Sequence, residues 1–212
     1  MSLQYSCFIS YPHGQDKVME PFVKAFANLL KTEVGAQTRK RIWLDLWDLK
    51  VGYRVDGSIG ADLCNSVCLV VIYTPLYFDK EHTYCAQEFR AMELLEAERL
   101  RLLPSPANKH YGLIIPVIVR GLPRLPNVIK NRKYAELIDI ELADPPAKLR
   151  RRYGSEIRKI ADYIVDCCVE FDLLQDDVLR GCDNFLLPSS AAVASYLESM
   201  RDPFPGAPTE DR

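Results

Sequence analysis

Val67 to Tyr73 is a run of seven apolar residues with none of the alternation that marks a half-exposed strand. It reads as a strand covered on both faces. A shorter strand-type run, Arg41 to Asp45, precedes it, and between the two lie a polar loop, Leu46 to Tyr53, and a helix candidate, Val55 to Asn65. The stretch is therefore a strand, helix, strand unit. Upstream, Tyr5 to Ser10 is the first strand, and Pro12 and Gly14 then turn the chain. Asp16 is placed to cap a helix whose apolar positions Val18, Phe22, Ala25, Phe26 and Leu29 keep helical spacing. Pro21 fits its first turn, where a missing N–H costs least. Downstream, helical sequence resumes at about Thr83 and runs to Arg101, with Cys85, Phe89, Met92 and Leu95 as a buried stripe.

The second half is patterned less sharply. Pro104 to Ala107 break the helix, and Gly112 to Val119 gives a fourth strand, interrupted or irregular at Pro116, which has no N–H to donate to a ladder. Gly121 to Pro126 is a loop, Tyr134 to Ile140 a candidate fifth strand, and Leu149 to Phe171 a closing helix. A further helix, Ser189 to Met200, is capped by Ser189 or Ser190, and the Pro/Gly/acidic tail from Asp202 cannot bury enough apolar surface to fold alone. The expected division is one α/β domain over 1–172, a helical extension over 173–201 and a flexible tail over 202–212. A chain of 212 residues with 48% hydrophobic content can fill the core this needs.

Glu88 falls inside the buried stripe of the Thr83 to Arg101 helix, with no Lys or Arg among its neighbours one turn away on that face. Other charges on the helix lie three apart, Arg90 with Glu93, Glu96 with Arg99 and Glu98 with Arg101, and can pair on the solvated face. Glu88 reads either as a boundary residue leaning out to water or as the charged group that a catalytic cleft needs beside an apolar wall. Loops leaving the C-terminal ends of parallel strands line the ligand crevice of an open sheet, so Ser10, Tyr11, His13, Asp45, Leu46, Trp47 and Thr74 converge on the rim where this helix begins. The bland alternatives are a core-pinned loop aromatic for Trp47 and a surface residue for His13.

A net charge of −2 with scattered Lys and Arg gives no electrostatic footprint for nucleic acid; Arg150 to Arg152, the one compact basic run, reads as a solvated helix start. No stretch approaches 18 apolar residues and no signal peptide is indicated, so no membrane contact is expected and a cytoplasmic protein is the default. Most of the seven cysteines, including Cys7, Cys64, Cys68, Cys167 and Cys168, lie in apolar runs that suit reduced, buried thiols. Cys64 and Cys68 straddle a helix-to-strand junction, and His13, His82 and His110 are spread along the chain, so no metal site is expected.

Taken together, several motifs resemble a Toll/interleukin-1 receptor (TIR) domain of the bacterial, NAD-cleaving type. They are Phe8 to Tyr11 as first strand and exit; Asp45, Trp47, Leu49 and Gly52 in the loop after the second strand; Asn65 and Ser66 ahead of the third strand; Thr74 and Pro75 at its end; and Cys85 followed three residues later by Glu88. The resemblance implies a flavodoxin-like α/β fold, an open five-stranded parallel sheet with helices on both faces, here with a C-terminal helical extension. It implies that Glu88 is catalytic in an NAD+ glycohydrolase, releasing nicotinamide and ADP-ribose or a cyclic isomer, with NAD+ as substrate and no cofactor. Ser10, Tyr11, His13, Asp45, Trp47, Thr74 and Tyr84 are the implied NAD-binding residues. The implied partners are other TIR protomers and an upstream sensor or downstream effector in antiphage or immune signalling, with activation by oligomerisation through the loop Leu46 to Tyr53.

One carboxylate suffices for that chemistry. Nicotinamide leaves from a ring nitrogen that is already cationic, so no second carboxyl is needed to protonate it, unlike the pair that glycosidases use. Two positions depart from the family pattern: Tyr84 stands where many enzymatic members carry tryptophan, and Tyr53 where an acidic residue often follows the loop glycine. A non-catalytic TIR–TIR interaction module is the first alternative, and an enzyme resembling nucleoside deoxyribosyltransferases is the second.

Overall fold

The computed structural model describes residues 3–13, 18–45, 55–80, 83–103, 111–174 and 181–199. Five parallel strands, β1 (Tyr5–Ser10), β2 (Arg41–Trp43), β3 (Ser66–Tyr73), β4 (Ile114–Ile118) and β5 (Ala135–Glu136), form one open sheet in the order β2-β1-β3-β4-β5. The helices are α1 (Glu20–Gly35), α2 (Val55–Cys64), α3 (Tyr84–Leu100), the single turn α4 (Asn127–Lys130), α5 (Pro146–Asp172) and α6 (Ser190–Ser199). α1 packs on α5, while α3 packs on both α2 and α6, so helices cover the sheet from both sides. Every residue of the central strands β1 and β3 is buried, which is why neither shows alternation. The strand order reverses between β1 and β3, and the crevice this opens lies beyond their C-terminal ends.

Pro21 sits in the first turn of α1, and Phe22, Phe26 and Leu30 turn inward. Val18 precedes that helix and is exposed, so the buried stripe begins at Phe22. Asp16 lies outside the described residues; the residue at the N-cap, Met19, makes no side-chain capping bond. Ser189 does cap α6, its Oγ accepting the Ala192 N–H at 3.2 Å.

Further expectations are corrected. Pro116 does not interrupt β4, because Leu113 C=O and Val119 N–H bond across to β3 while Ile118 C=O accepts from Leu137 on the β5 side. Backbone groups alternate, so the missing Pro116 donor faces the β5 side, and β5 pairs only with Val117 and Ile118. The fifth strand is Ala135–Glu136 rather than Tyr134 to Ile140, since Ile140 N–H turns back to Leu137 C=O and the Arg120 guanidinium takes the carbonyls of Ile138 and Ile140.

Arg99 does not pair with Glu96 on the surface. It is 2% exposed and donates to the carbonyls of Cys64, the last residue of α2, and of Ser66, the first of β3, at 2.7 Å for the latter. Glu96 instead forms a bidentate pair with Arg132 at 2.8 and 2.7 Å and accepts the Leu113 N–H. Only the Arg90–Glu93 expectation has its counterpart, at 2.9 Å.

Cys64 is not a free thiol, because it forms a disulfide with Cys182 across 118 residues; Cys7, Cys68, Cys85, Cys167 and Cys168 are free and buried. The bond ties the C-terminal segment to α2. There the chain passes so close to Gly60 that a Cβ at that position would collide with the Phe185 carbonyl oxygen. Beyond it, Val193 and Leu197 of α6 pack with Ala86 of α3 and with Phe78. No described helix is long and apolar enough to cross a membrane.

Candidate active site

The site grows from the end of β1. Ser10 is its last residue, and Tyr11 to His13 follow into the crevice; Asp45 follows β2 by two residues, and α3 brings its first turns to the same rim. The helical spacing that buries Cys85, Phe89 and Met92 also buries Glu88, which is 9% exposed. Leaning out to water is therefore excluded as the reading of Glu88. Its Oε2 accepts a hydrogen bond from Ser10 Oγ at 2.5 Å, and Ser10 Oγ lies 2.7 Å from the Tyr77 hydroxyl.

Among the described residues Glu88 has no ion-pair partner. Burial pushes its carboxyl up to about 7, opposed by the Ser10 hydrogen bond; Asp45 raises it further and His13 lowers it. Asp45 holds the opposite wall. Its Oδ2 is 2.9 Å from His13 Nε2 and accepts from the Tyr11 hydroxyl at 3.4 Å, while the Tyr11 and His13 rings lie 4.3 Å apart. The hydrogen bond to Asp45 is the main reason the His13 imidazole is held above its ordinary value, against the effect of burial. Asp45 Oδ1 is buried with no hydrogen-bond partner among the described residues.

Ser10, Tyr11, His13, Asp45, Tyr84 and Glu88 all line one cleft of about 370 Å³, within the range of small-molecule sites. Its apolar wall is Phe8, Trp43 and Ile59, with Phe8 stacked on Trp43 at 4.0 Å. Cys85 closes the corner, its thiol donating to Tyr11 C=O at 3.3 Å. Tyr84 is half exposed at the mouth. Thr74 is not in the lining: buried in the turn after β3, it accepts the Leu76 N–H on Oγ1 and the Tyr77 N–H on its carbonyl. Trp47, with the loop Leu46 to Tyr53, lies outside the described residues.

Sequence reasoning missed Tyr77, although its position three residues after Thr74, in the turn leaving β3, could have directed attention to it. It also missed Trp43, which reads in sequence as strand core. Among the described residues no cluster of three or more His, Cys, Asp or Glu is placed to hold a metal ion.

A larger cavity, about 740 Å³, opens at the other end of β4 between α3 and α5. Its polar groups serve the fold: the Tyr163 hydroxyl bonds both the N–H and C=O of Gly112, and Arg132 holds Glu96. Size does not choose between the two. The smaller cleft holds the buried carboxylate of Glu88 and lies where open parallel sheets bind ligands.

The family model for the TIR domain matches residues 7–151. The chain belongs to the TIR domain family. No curated protein matches it. A solved structure to which it is similar is the TIR domain of the Toll-related receptor TRR-2 from Hydra magnipapillata, at 15% identity and a TM-score of 0.42, covering 74% of this chain and 98% of that one.

Proposed function

We propose that this TIR domain cleaves the nicotinamide–ribose bond of NAD+, with Glu88 as the catalytic carboxylate. The observation that carries the reading is a buried carboxylate with no ion-pair partner among the described residues, held by a hydroxyl in a cleft at the C-terminal ends of parallel strands. As the C1′–N bond breaks, its electron pair neutralises the nicotinamide nitrogen and positive charge grows on the ribose. A carboxylate fixed in a partly dry site stabilises that charge without reorganising. Water then bonds to C1′ and its proton passes to Glu88, for which a carboxyl titrating at about 7 is well suited. Asp45 Oδ1 would accept from a ribose hydroxyl, and the Phe8–Trp43 wall with Tyr84 would pack against the nicotinamide ring. An acceptor within the same molecule would give the cyclic product.

TIR domains generally interact with other TIR domains. Activation by assembly of protomers under an upstream sensor, in cytoplasmic immune signalling, belongs to the same proposal. The test is to incubate the full chain at high concentration with NAD+, and separately with nucleosides, and follow release of free base. Nicotinamide from NAD+ alone supports the reading. Base release from nucleosides alone points to a deoxyribosyltransferase-like enzyme, and release from neither points to an interaction module.

A further inference from the structure

We propose that Tyr77 is a positioning residue for Glu88: its phenol donates to Ser10 and so commits the single Ser10 hydroxyl proton to the carboxylate. Ser10 Oγ lies 2.5 Å from Glu88 Oε2 and 2.7 Å from the Tyr77 hydroxyl, and the Cys85 thiol, which donates to Tyr11 C=O, also bears on it. An ionised carboxylate only accepts, so Ser10 spends its one proton on Glu88 and has nothing but lone pairs for Tyr77. The phenol must then be the donor, and the chain runs from Tyr77 O–H to Ser10 O–H to Glu88. When Glu88 is protonated the order reverses, with Glu88 donating to Ser10 and Ser10 to the phenol oxygen. Tyr77 therefore favours the charged form, because the chain that ends on an ionised carboxylate is charge-assisted and stronger than its neutral reverse.

The phenol is rigidly placed. Tyr77 is wholly buried, its N–H bonds Thr74 C=O at 2.9 Å, and its ring meets Phe78 edge-on at 4.9 Å. Phe78 in turn meets Phe89, the residue after Glu88, at 5.3 Å. The turn after β3 is thus locked to the helix that carries the carboxylate. Other groups bear on Glu88 from each surrounding element: His13 from the exit of β1, Asp45 after β2, Cys85 on α3. Tyr196 of α6 bears on Tyr77 itself. A Tyr77→Phe change leaves all of these in place.

The test is a pH titration of the Glu88 side-chain carboxyl by NMR in the full chain. Tyr77→Phe is expected to move the midpoint upward from about 7 by roughly half to one pH unit, the size of one neutral hydrogen bond. Ser10→Ala is expected to move it upward as well, and adding Tyr77→Phe to Ser10→Ala to move it no further. An unchanged midpoint in Tyr77→Phe, or an equal shift when Ser10 is absent, overturns the proposal. Should Tyr77→Phe fold poorly, 3-fluorotyrosine placed at 77 keeps the packing and is a stronger donor; it is expected to lower the midpoint, and no change overturns the proposal. For activity the role rests on the NAD-cleaving reading, where the acid limb of kcat/KM would follow the same displacement. Absence of NAD cleavage overturns that reading alone and leaves the carboxyl titration to decide this one.

Discussion

Replacing Glu88 by Gln should stabilise the protein, and the gain should depend on pH. The carboxyl titrates at an ordinary 4.5 when the chain is unfolded and at about 7 in the fold, where burial is the main cause. Below 4.5 both states hold the proton and burial of Glu88 costs nothing in charge. Between 4.5 and 7 only the folded state keeps it, so stability is lost as pH rises through that interval, and above it the full cost of the buried charge is present. At ~1.4 kcal/mol per pH unit the cost is about 3 kcal/mol. Gln keeps the shape and an acceptor for Ser10 but carries no charge at any pH. Urea denaturation of both proteins should show Glu88→Gln more stable by about 3 kcal/mol at pH 8 and by only about 1 kcal/mol at pH 5. An equal difference at the two pH values, or a Gln variant less stable at pH 8, would refute the description of Glu88 as a carboxylate whose buried charge costs stability.

Cys182→Ser, or reduction of the wild-type chain, should lower stability by about 2–4 kcal/mol, since the Cys64–Cys182 bond closes a loop of 118 residues; an unchanged melting temperature would contradict this. Arg99→Met should cost about 2–4 kcal/mol, because two buried carbonyls lose their donors. Cost below 0.5 kcal/mol in chemical denaturation would return Arg99 to the surface role that its spacing suggested. The His13 imidazole should titrate above 6.5 in an NMR experiment and fall back in Asp45→Asn; its pairing with Asp45 is present below 6.5 and lost as pH rises through the raised value. A midpoint indifferent to Asp45→Asn would remove that pair from the site.

What the sequence made legible was what local pattern encodes. β1 and β3 stand out as unbroken apolar runs because both faces of each are covered, and Glu88 stands out because a three-and-four spacing fixes which face of α3 it shares. The residues missed or misread owe their places to distant partners. Tyr77 meets Ser10 across 67 residues, and Arg99 finds the end of α2 instead of Glu96 three positions away. Cys64 looks like any other buried thiol until the C-terminal segment returns to it, and β5 stops where it does because Arg120, on the far side of a turn, takes its next carbonyls. Thr74 was placed at the rim by its position after β3, but its hydroxyl and carbonyl are consumed by the turn that delivers Tyr77.

The central claim is that Glu88 performs the chemistry. Its most direct test is nicotinamide release from NAD+ by concentrated wild-type chain, Glu88→Gln and Glu93→Gln, each checked for folding on the same sample. Glu93 pairs with Arg90 away from the cleft, and its variant should retain wild-type turnover. Loss of one preorganised charge contact should lower the rate of Glu88→Gln by roughly 10²–10³-fold while its melting temperature holds or rises. Wild-type turnover in a folded Glu88→Gln protein would contradict the assignment.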